Sequence, residues 1–136
     1  MKHFSISEML KSDTAIKQRL WNGANLEVEE NLRSLVEQVL DPLRERYGKP
    51  IYVNSGYRCP ELNRLISGAI NSQHMRGEAA DITAGSPAEN LKLAHLIEEA
   101  GKFDQLIYEK NSSAGPQWLH VSWRRIGNNR KKIMYM

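Results

Sequence analysis

Two histidines and an aspartate have the residue types and spacing of a metal site. His74 and Asp81 stand seven residues apart in the stretch SQHMRGEAAD, and His120 lies in the segment WLHVSW. That separation is too long for two ligands on one helix face, but a loop that turns at Gly77 and enters a strand would bring both side chains to one point. Two imidazoles and one carboxylate leave a coordination position open for water, as in catalytic zinc sites. Such a metal lowers the pKa of its water toward about 7 and polarises a substrate carbonyl.

Spacing alone leaves other interpretations of these three residues open. The same triple fits a non-haem iron facial triad, or a loop residue, a turn cap and a half-buried strand histidine with no metal at all. Cys59 is the single cysteine, which excludes an internal disulfide framework and a cysteine-rich zinc cluster. We interpret the remaining histidines, His3 and His95, as surface residues.

The elements that must position the triple can be predicted from hydrophobic periodicity. Alternation in 118–123 places His120 on the less apolar face of a strand. Residues 26–47 follow the helical period, and Pro42 is expected to kink or split that helix near Asp41. Other helices are predicted from Ser5 to Leu10, over 60–66 and over 87–100, with 68–77 as an irregular loop. The predicted strands are 50–54, 78–83, 104–109, 118–123 and 132–135.

This order of elements predicts an α+β fold. Helices come first and the later strands follow without intervening helices, which favours a small, mostly antiparallel sheet. The last strand is expected to pair back across the Gly127-Asn128-Asn129 turn. The chain has 136 residues, is 40% hydrophobic and 26% charged, and shows no internal repeat. We therefore expect a single domain over 1–136, and a monomer.

Net charge and hydropathy limit the classes of binding partner that we expect for this chain. The net charge is +3, and residues 124–132 carry five basic side chains and no acid. We interpret that segment as a solvated hairpin tip, and the mild positive charge as compatible with an anionic bacterial cell wall. No nucleic-acid-binding signature is present. Without a long apolar run or the apolar core of a signal peptide, we expect no membrane insertion, no Sec-type signal peptide and synthesis in the cytoplasm.

Several motifs occur in the order found in the peptidase M15 family, which this chain closely resembles. They are SGYR at 55–58, the pattern Ser-x-His-x-x-Gly-x-Ala-x-Asp at 72–81, and WLHVS at 118–122. Together they span about half of the chain. Within the family the chain is most similar to the phage- and bacteria-encoded M15A-type branch, related to zinc D-Ala-D-Ala carboxypeptidases and L-alanyl-D-glutamate endolysins.

The resemblance carries expectations about fold, metal and substrate. It implies the hedgehog/DD-peptidase fold, in which helices pack on one side of a small antiparallel sheet. It also implies that Zn²⁺ is bound by His74, Asp81 and His120, and that the substrates are peptidoglycan stem peptides.

Three further residues are candidates for contacts with the substrate. Arg58 matches the family arginine that reaches the substrate near the metal, and its guanidinium offers a fork of donors to a carboxylate or an oxyanion. A structural salt bridge is the alternative for Arg58. Ser72 and Gln73 flank the histidine ligand and could orient it or donate to the substrate, with ordinary loop hydrogen bonding as the alternative.

The general base is the one position where the chain departs from many family members. They place a glutamate three residues before the final histidine, whereas this chain has Gln117, whose amide accepts no proton at neutral pH. Glu109 is the predicted replacement, because antiparallel pairing of 104–109 with 118–123 would bring it close to His120. Asp104 ranks second, since it lies at the opposite end and alternates to the opposite face. A solvated strand end is the alternative for Glu109.

From these observations we predict a zinc metallopeptidase that cleaves stem peptides as a D-Ala-D-Ala carboxypeptidase or an endolysin-type endopeptidase. The alternative is a catalytically weak or inactive zinc-containing module that binds the cell wall. The expected lack of a signal peptide fits a phage enzyme released through a separate lysis pore, a virion component, or a cytoplasmic enzyme of peptide recycling.

Overall fold

A computed structural model describes residues 1–136 and shows an α+β chain built on one five-stranded sheet. The strand order is β1-β2-β4-β3-β5, and the pairs β1–β2, β2–β4 and β3–β4 are antiparallel. This confirms the predicted α+β class and the mostly antiparallel sheet. The strands are β1 (Tyr52–Ser55), β2 (Ala79–Thr83), β3 (Gln105–Glu109), β4 (Trp118–Ser122) and β5 (Lys132–Tyr135).

The last strand pairs differently from the sequence prediction. β5 runs parallel to β3, with Leu106 opposite Ile133 and Tyr108 opposite Tyr135, and it does not form a hairpin with β4. Both edges of β4 are already occupied by β2 and β3, so the free edge at this end of the sheet belongs to β3. The connection between β4 and β5 therefore passes the start of β3, where the amide of Lys131 donates to the carbonyl of Phe103 at 3.2 Å.

A long helical segment packs against the sheet and contains a widened turn. It consists of α3 (Leu26–Leu35), a π-helical turn (Val36–Leu40) and α4 (Asp41–Tyr47), which follow one another without a break. Pro42 has no N–H to donate, and the amide of Asp41 bonds to Val36, five residues back. The split expected near Asp41 thus takes the form of a π-turn.

The remaining helices are short, except for one. α6 (Pro87–Ala100) has the predicted bounds: the Ser86 side chain accepts from the amide of Glu89, and Gly101 ends the helix at φ 68°. α2 (Asp13–Lys17) was not predicted, and a 3₁₀ turn (Gln73–Arg76) lies in the segment expected to be irregular. The other two helices are α1 (Ile6–Leu10) and α5 (Pro60–Leu65). No helix combines the length and apolar character needed to cross a bilayer.

Strand alternation separates an apolar core from a polar face of the sheet. A single cluster of 21 buried residues forms the core between the helices and the sheet. Asp81 in β2 and His120 in β4 are register partners that lie on the other face. Their sequence neighbours enter the core: Ala80, Ile82, Leu119 and Val121.

Candidate metal centre

Three potential ligands converge where β2 and β4 meet the 3₁₀ turn. Asp81 Oδ1 lies 3.2 Å from His74 Nε2 and 3.2 Å from His120 Nδ1. The ligand atoms of the three residues all lie within 4.8 Å of one another, and the two imidazole rings meet edge to face with centroids 5.1 Å apart. The structure therefore brings together the triple that the sequence singled out.

The orientation of His74 is determined by a backbone carbonyl. His74 Nδ1 donates to the carbonyl of Gly56 at 2.7 Å, which leaves Nε2 unprotonated toward Asp81. Only glycine fits at position 56, because a Cβ there would lie 2.2 Å from the carbonyl oxygen of Met9. A second backbone contact, from the Arg58 amide to the His74 carbonyl at 3.0 Å, fastens the SGYR loop to the 3₁₀ turn.

Asp81 is held as an ionised ligand. Arg58 Nη2 donates to Asp81 Oδ2 at 3.2 Å, which leaves Oδ1 to face the two histidines. The arginine is itself fixed by Ser55 Oγ at 3.0 Å and Asn63 Oδ1 at 3.3 Å. Burial alone would raise the pKa of Asp81, but the contacts of its carboxylate with His120 and His74 outweigh burial and hold the pKa well below its usual range. The salt bridge considered as an alternative for Arg58 is therefore present.

This donor set fits a divalent transition metal. It offers two imidazole nitrogens and one carboxylate oxygen, and the second nitrogen of each imidazole has a partner in the chain. Such partners fix the tautomer and the ring orientation of a ligating histidine. The chemistry of the donors suits zinc, and also suits iron in a facial triad.

The triple lies in an open cleft of about 370 Å³ that also contains Glu109. Along β3, Gln105, Ile107 and Glu109 line the cleft, while Leu106 and Tyr108 enter the core. Glu109 pairs with Trp118, two residues before His120, as the antiparallel pairing predicted. Its carboxylate makes no hydrogen bond or ion pair within the chain. Burial raises the pKa of Glu109, and the negative charge of Asp81 raises it further.

Comparison with known proteins shows the family of this chain. The family model of peptidase M15 matches residues 2–122, which include every residue of the triple. The chain belongs to the peptidase M15 family. A zinc D-Ala-D-Ala carboxypeptidase from Streptomyces albus G is 50% identical over 48 residues, which are 35% of this chain and 19% of that protein. The match thus spans about a fifth of the relative's length.

Gln117, which stands where the M15 resemblance implies a glutamate base, lies outside the cleft. Gln117 is exposed and is not among the residues that line the cleft. Its backbone is used structurally, since the amide donates to Glu109 and the carbonyl accepts from Asn90. The location of the Gln117 side chain therefore favours Glu109 over position 117 as the source of a carboxylate.

Asp104, the second candidate for the base, is engaged elsewhere. It is fully buried, and its carboxylate accepts from Arg130 Nε at 3.0 Å and from Arg130 Nη2 at 2.8 Å. Hydrogen bonds from Arg130 lower the pKa of Asp104 to about 2, although burial opposes this. A carboxylate so strongly paired is a poor proton acceptor. The interpretation of 124–132 as a purely solvated tip was wrong, because Arg130 binds this buried acid.

Ser72 and Gln73 both line the cleft, and both contact residues of the triple. Ser72 Oγ accepts from the His74 amide at 3.2 Å and caps the 3₁₀ turn. Gln73 Oε1 lies 3.0 Å from His120 Nε2, and its amide nitrogen donates to Asp104 at 3.0 Å. Sequence reasoning missed these contacts of Gln73. No local pattern could have revealed them, because the partners lie 47 and 31 residues away.

Proposed function

We propose that this M15 chain is a zinc-dependent peptidase that hydrolyses peptide bonds in peptidoglycan stem peptides. The observation that carries the proposal is the convergence of His74, Asp81 and His120 in an open cleft that also holds the unpaired carboxylate of Glu109. The similarity to a zinc D-Ala-D-Ala carboxypeptidase supports both the choice of metal and the choice of substrate.

Different residues of the cleft are assigned to metal binding and to proton transfer. His74 Nε2, Asp81 Oδ1 and His120 Nδ1 would hold the zinc, which when bound acts as a Lewis acid toward the scissile carbonyl and acidifies the attacking water. Glu109 accepts the proton of that water on a carboxylate oxygen and delivers it to the leaving amine. The raised pKa of Glu109 suits this task, because a general base works best when its pKa approaches the operating pH.

Arg58 is proposed to contact the substrate as well as Asp81. Three of its five N–H groups bond to Ser55, Asn63 and Asp81, which leaves two for a ligand. Its side chain is 12% exposed and lines the cleft. A planar guanidinium in this place can donate to a substrate carboxylate or to the oxyanion that forms at the scissile carbonyl.

The direct test of the function is hydrolysis with and without a chelator. We expect the purified protein to carry about one zinc per chain and to cleave muropeptides. Activity should disappear with a chelator and return with zinc. Mass spectrometry of the products separates the two types of cleavage, because a carboxypeptidase releases single D-alanine whereas an endopeptidase releases peptide fragments. Iron in elemental analysis would favour the facial triad, and no cleavage of any stem peptide in excess zinc would favour the cell-wall-binding module.

Substitution of Arg58 by lysine should separate its two roles. Lysine retains the charge but cannot reproduce the fork of donors, so we expect kcat/KM to fall by roughly 10–100-fold, the worth of a lost charged hydrogen bond. Rates are compared on a stem peptide with a free carboxyl terminus and on its amide. If Arg58 binds that carboxylate, the wild type should prefer the free acid and Arg58→Lys should lose the preference. Arg64→Lys, at an exposed position of α5, is the matched control. A variant that keeps the preference and loses only zinc would restrict Arg58 to orienting Asp81.

A further inference from the structure

A chain of hydrogen bonds runs from His120 to the connection before β5, and its members Gln73 and Arg130 line the same cleft as His120. His120 Nε2 lies 3.0 Å from Gln73 Oε1, and Gln73 Nε2 donates to Asp104 Oδ2 at 3.0 Å. Arg130 then donates to Asp104 through its backbone amide at 2.9 Å and through Nε and Nη2. Gln73 is 9% exposed and Asp104 is fully buried, so water offers few alternative partners to either side chain.

The buried carboxylate sets the direction of every donor in this chain. Ionised Asp104 can only accept hydrogen bonds, and the Arg130 guanidinium can only donate them. Gln73 must therefore turn its NH₂ group toward Asp104 and its carbonyl toward His120. A carbonyl only accepts, so His120 Nε2 must carry a proton. Nδ1 lies 3.2 Å from Asp81 Oδ1, a second acceptor that attracts a proton to Nδ1 when no cation is bound. With zinc on Nδ1, the ring is neutral and its one proton is on Nε2.

We propose that Gln73 and Asp104 are positioning residues, which hold His120 in the tautomer that presents Nδ1 to the metal. Arg130 keeps Asp104 ionised and oriented through its hydrogen bonds to the carboxylate. It lies beyond residues 2–122, the part of the chain that the family model matches. The role toward a metal rests on the proposed function. The protonation of Nε2 does not, because it follows from the contact of His120 with Gln73.

Nuclear magnetic resonance of ¹⁵N-labelled protein tests the tautomer directly. In the full chain at alkaline pH we expect Nε2 of His120 to carry a proton before and after zinc is added. Once zinc occupies Nδ1, this should be the only proton on the ring nitrogens. A wild-type protein whose His120 carries the proton on Nδ1 would overturn the proposal without any variant. This measurement is independent of catalysis, so a failure to hydrolyse stem peptides would contradict the proposed function and leave the tautomer result standing.

Gln73→Leu removes the acceptor and should release the ring of His120. We expect the second tautomer to become populated and zinc affinity, measured by chelator competition, to fall roughly 10–100-fold, the usual effect of losing such a partner of a ligating histidine. Gln105→Leu is the matched control: Gln105 lines the same cleft, its side chain makes no hydrogen bond, and the same substitution should leave zinc affinity and tautomer unchanged.

Asp104→Asn tests the chain one residue further from the metal, with almost no change in size. The new NH₂ group takes the place of either Oδ1, where it faces donors of Arg130 only, or Oδ2, where it faces donors of both Arg130 and Gln73. In the second case Gln73 turns over, its own NH₂ faces His120, and the ring proton moves to Nδ1. We therefore expect a mixture of tautomers and weaker zinc binding in a variant that touches no ligand.

Folding of each variant is checked from the dispersion of its amide resonances. If Gln73→Leu does not fold, Asp104→Asn alone tests the proposed positioning role. Folded variants that retain the single Nε2–H tautomer and wild-type zinc affinity would overturn the proposal and leave the contacts a purely structural role. Loss of zinc affinity in Gln105→Leu to the same extent as in Gln73→Leu would also overturn it.

Discussion

Alanine at His74, Asp81 or His120 is expected to leave the protein with little zinc and no measurable hydrolysis of stem peptides. Each substitution removes one of only three protein ligands, and two ligands hold a zinc ion poorly. The three ligand atoms lie within 4.8 Å of one another, so all three can bind one shared ion and each variant removes a third of its protein ligands. Zinc content after dialysis, zinc affinity by chelator competition and the rate of muropeptide cleavage measure the effect.

His95→Ala is the matched control for the loss of a histidine. His95 lies on the exposed face of α6, away from the cleft, so its removal should leave both zinc and activity unchanged. Full zinc occupancy in all three ligand variants would show that the metal, if any, binds elsewhere, and would disprove the site.

Glu109→Gln is expected to reduce turnover by about 10²–10⁴, the usual contribution of general acid–base catalysis, while zinc content and stability are retained. The substitution preserves the shape of the side chain and removes its capacity to accept a proton. Because the Glu109 carboxylate has no partner in the chain, its replacement breaks no ion pair and should not lower the free energy of unfolding. The measurements are kcat on a muropeptide, zinc content and thermal denaturation.

Two further variants make the test of Glu109 specific. Glu61→Gln changes the same residue type at an exposed position of α5 and should leave turnover unaffected. Gln117→Glu restores the acid of many M15 members, but at an exposed position outside the cleft, so we expect it neither to raise turnover nor to rescue Glu109→Gln. Full turnover in Glu109→Gln would show that another group accepts the proton, and rescue by Gln117→Glu would place the base at position 117.

The local sequence determined the elements that hold the site. Helix α6 begins and ends as predicted because Ser86 caps its first turn and Gly101 adopts a left-handed conformation at its end. Alternation within WLHVSW placed His120 on the face opposite Leu119, because successive side chains of a strand point to opposite sides. Glu109 was placed near His120 by the same reasoning, extended over one antiparallel pair.

The order of the motifs along the chain identified the family, which hydrophobic periodicity could not do. Spacing alone left zinc, iron and no metal as open interpretations of the triple. The combination of SGYR, the histidine–aspartate pattern and the final histidine led to the M15 family, and the match over residues 2–122 shows that membership.

Contacts between distant segments were decided only by the tertiary structure. β5 pairs with β3 because both edges of β4 are occupied, and the basic segment is drawn to Asp104 because a buried carboxylate requires a charged partner. The chain of hydrogen bonds behind His120 joins residues that are 31 and 47 positions apart. Periodicity, caps and turns report interactions within a few residues of the chain. The pairing of free strand edges and of buried polar groups depends on which partners the folded chain brings together, and a one-dimensional pattern does not contain that information.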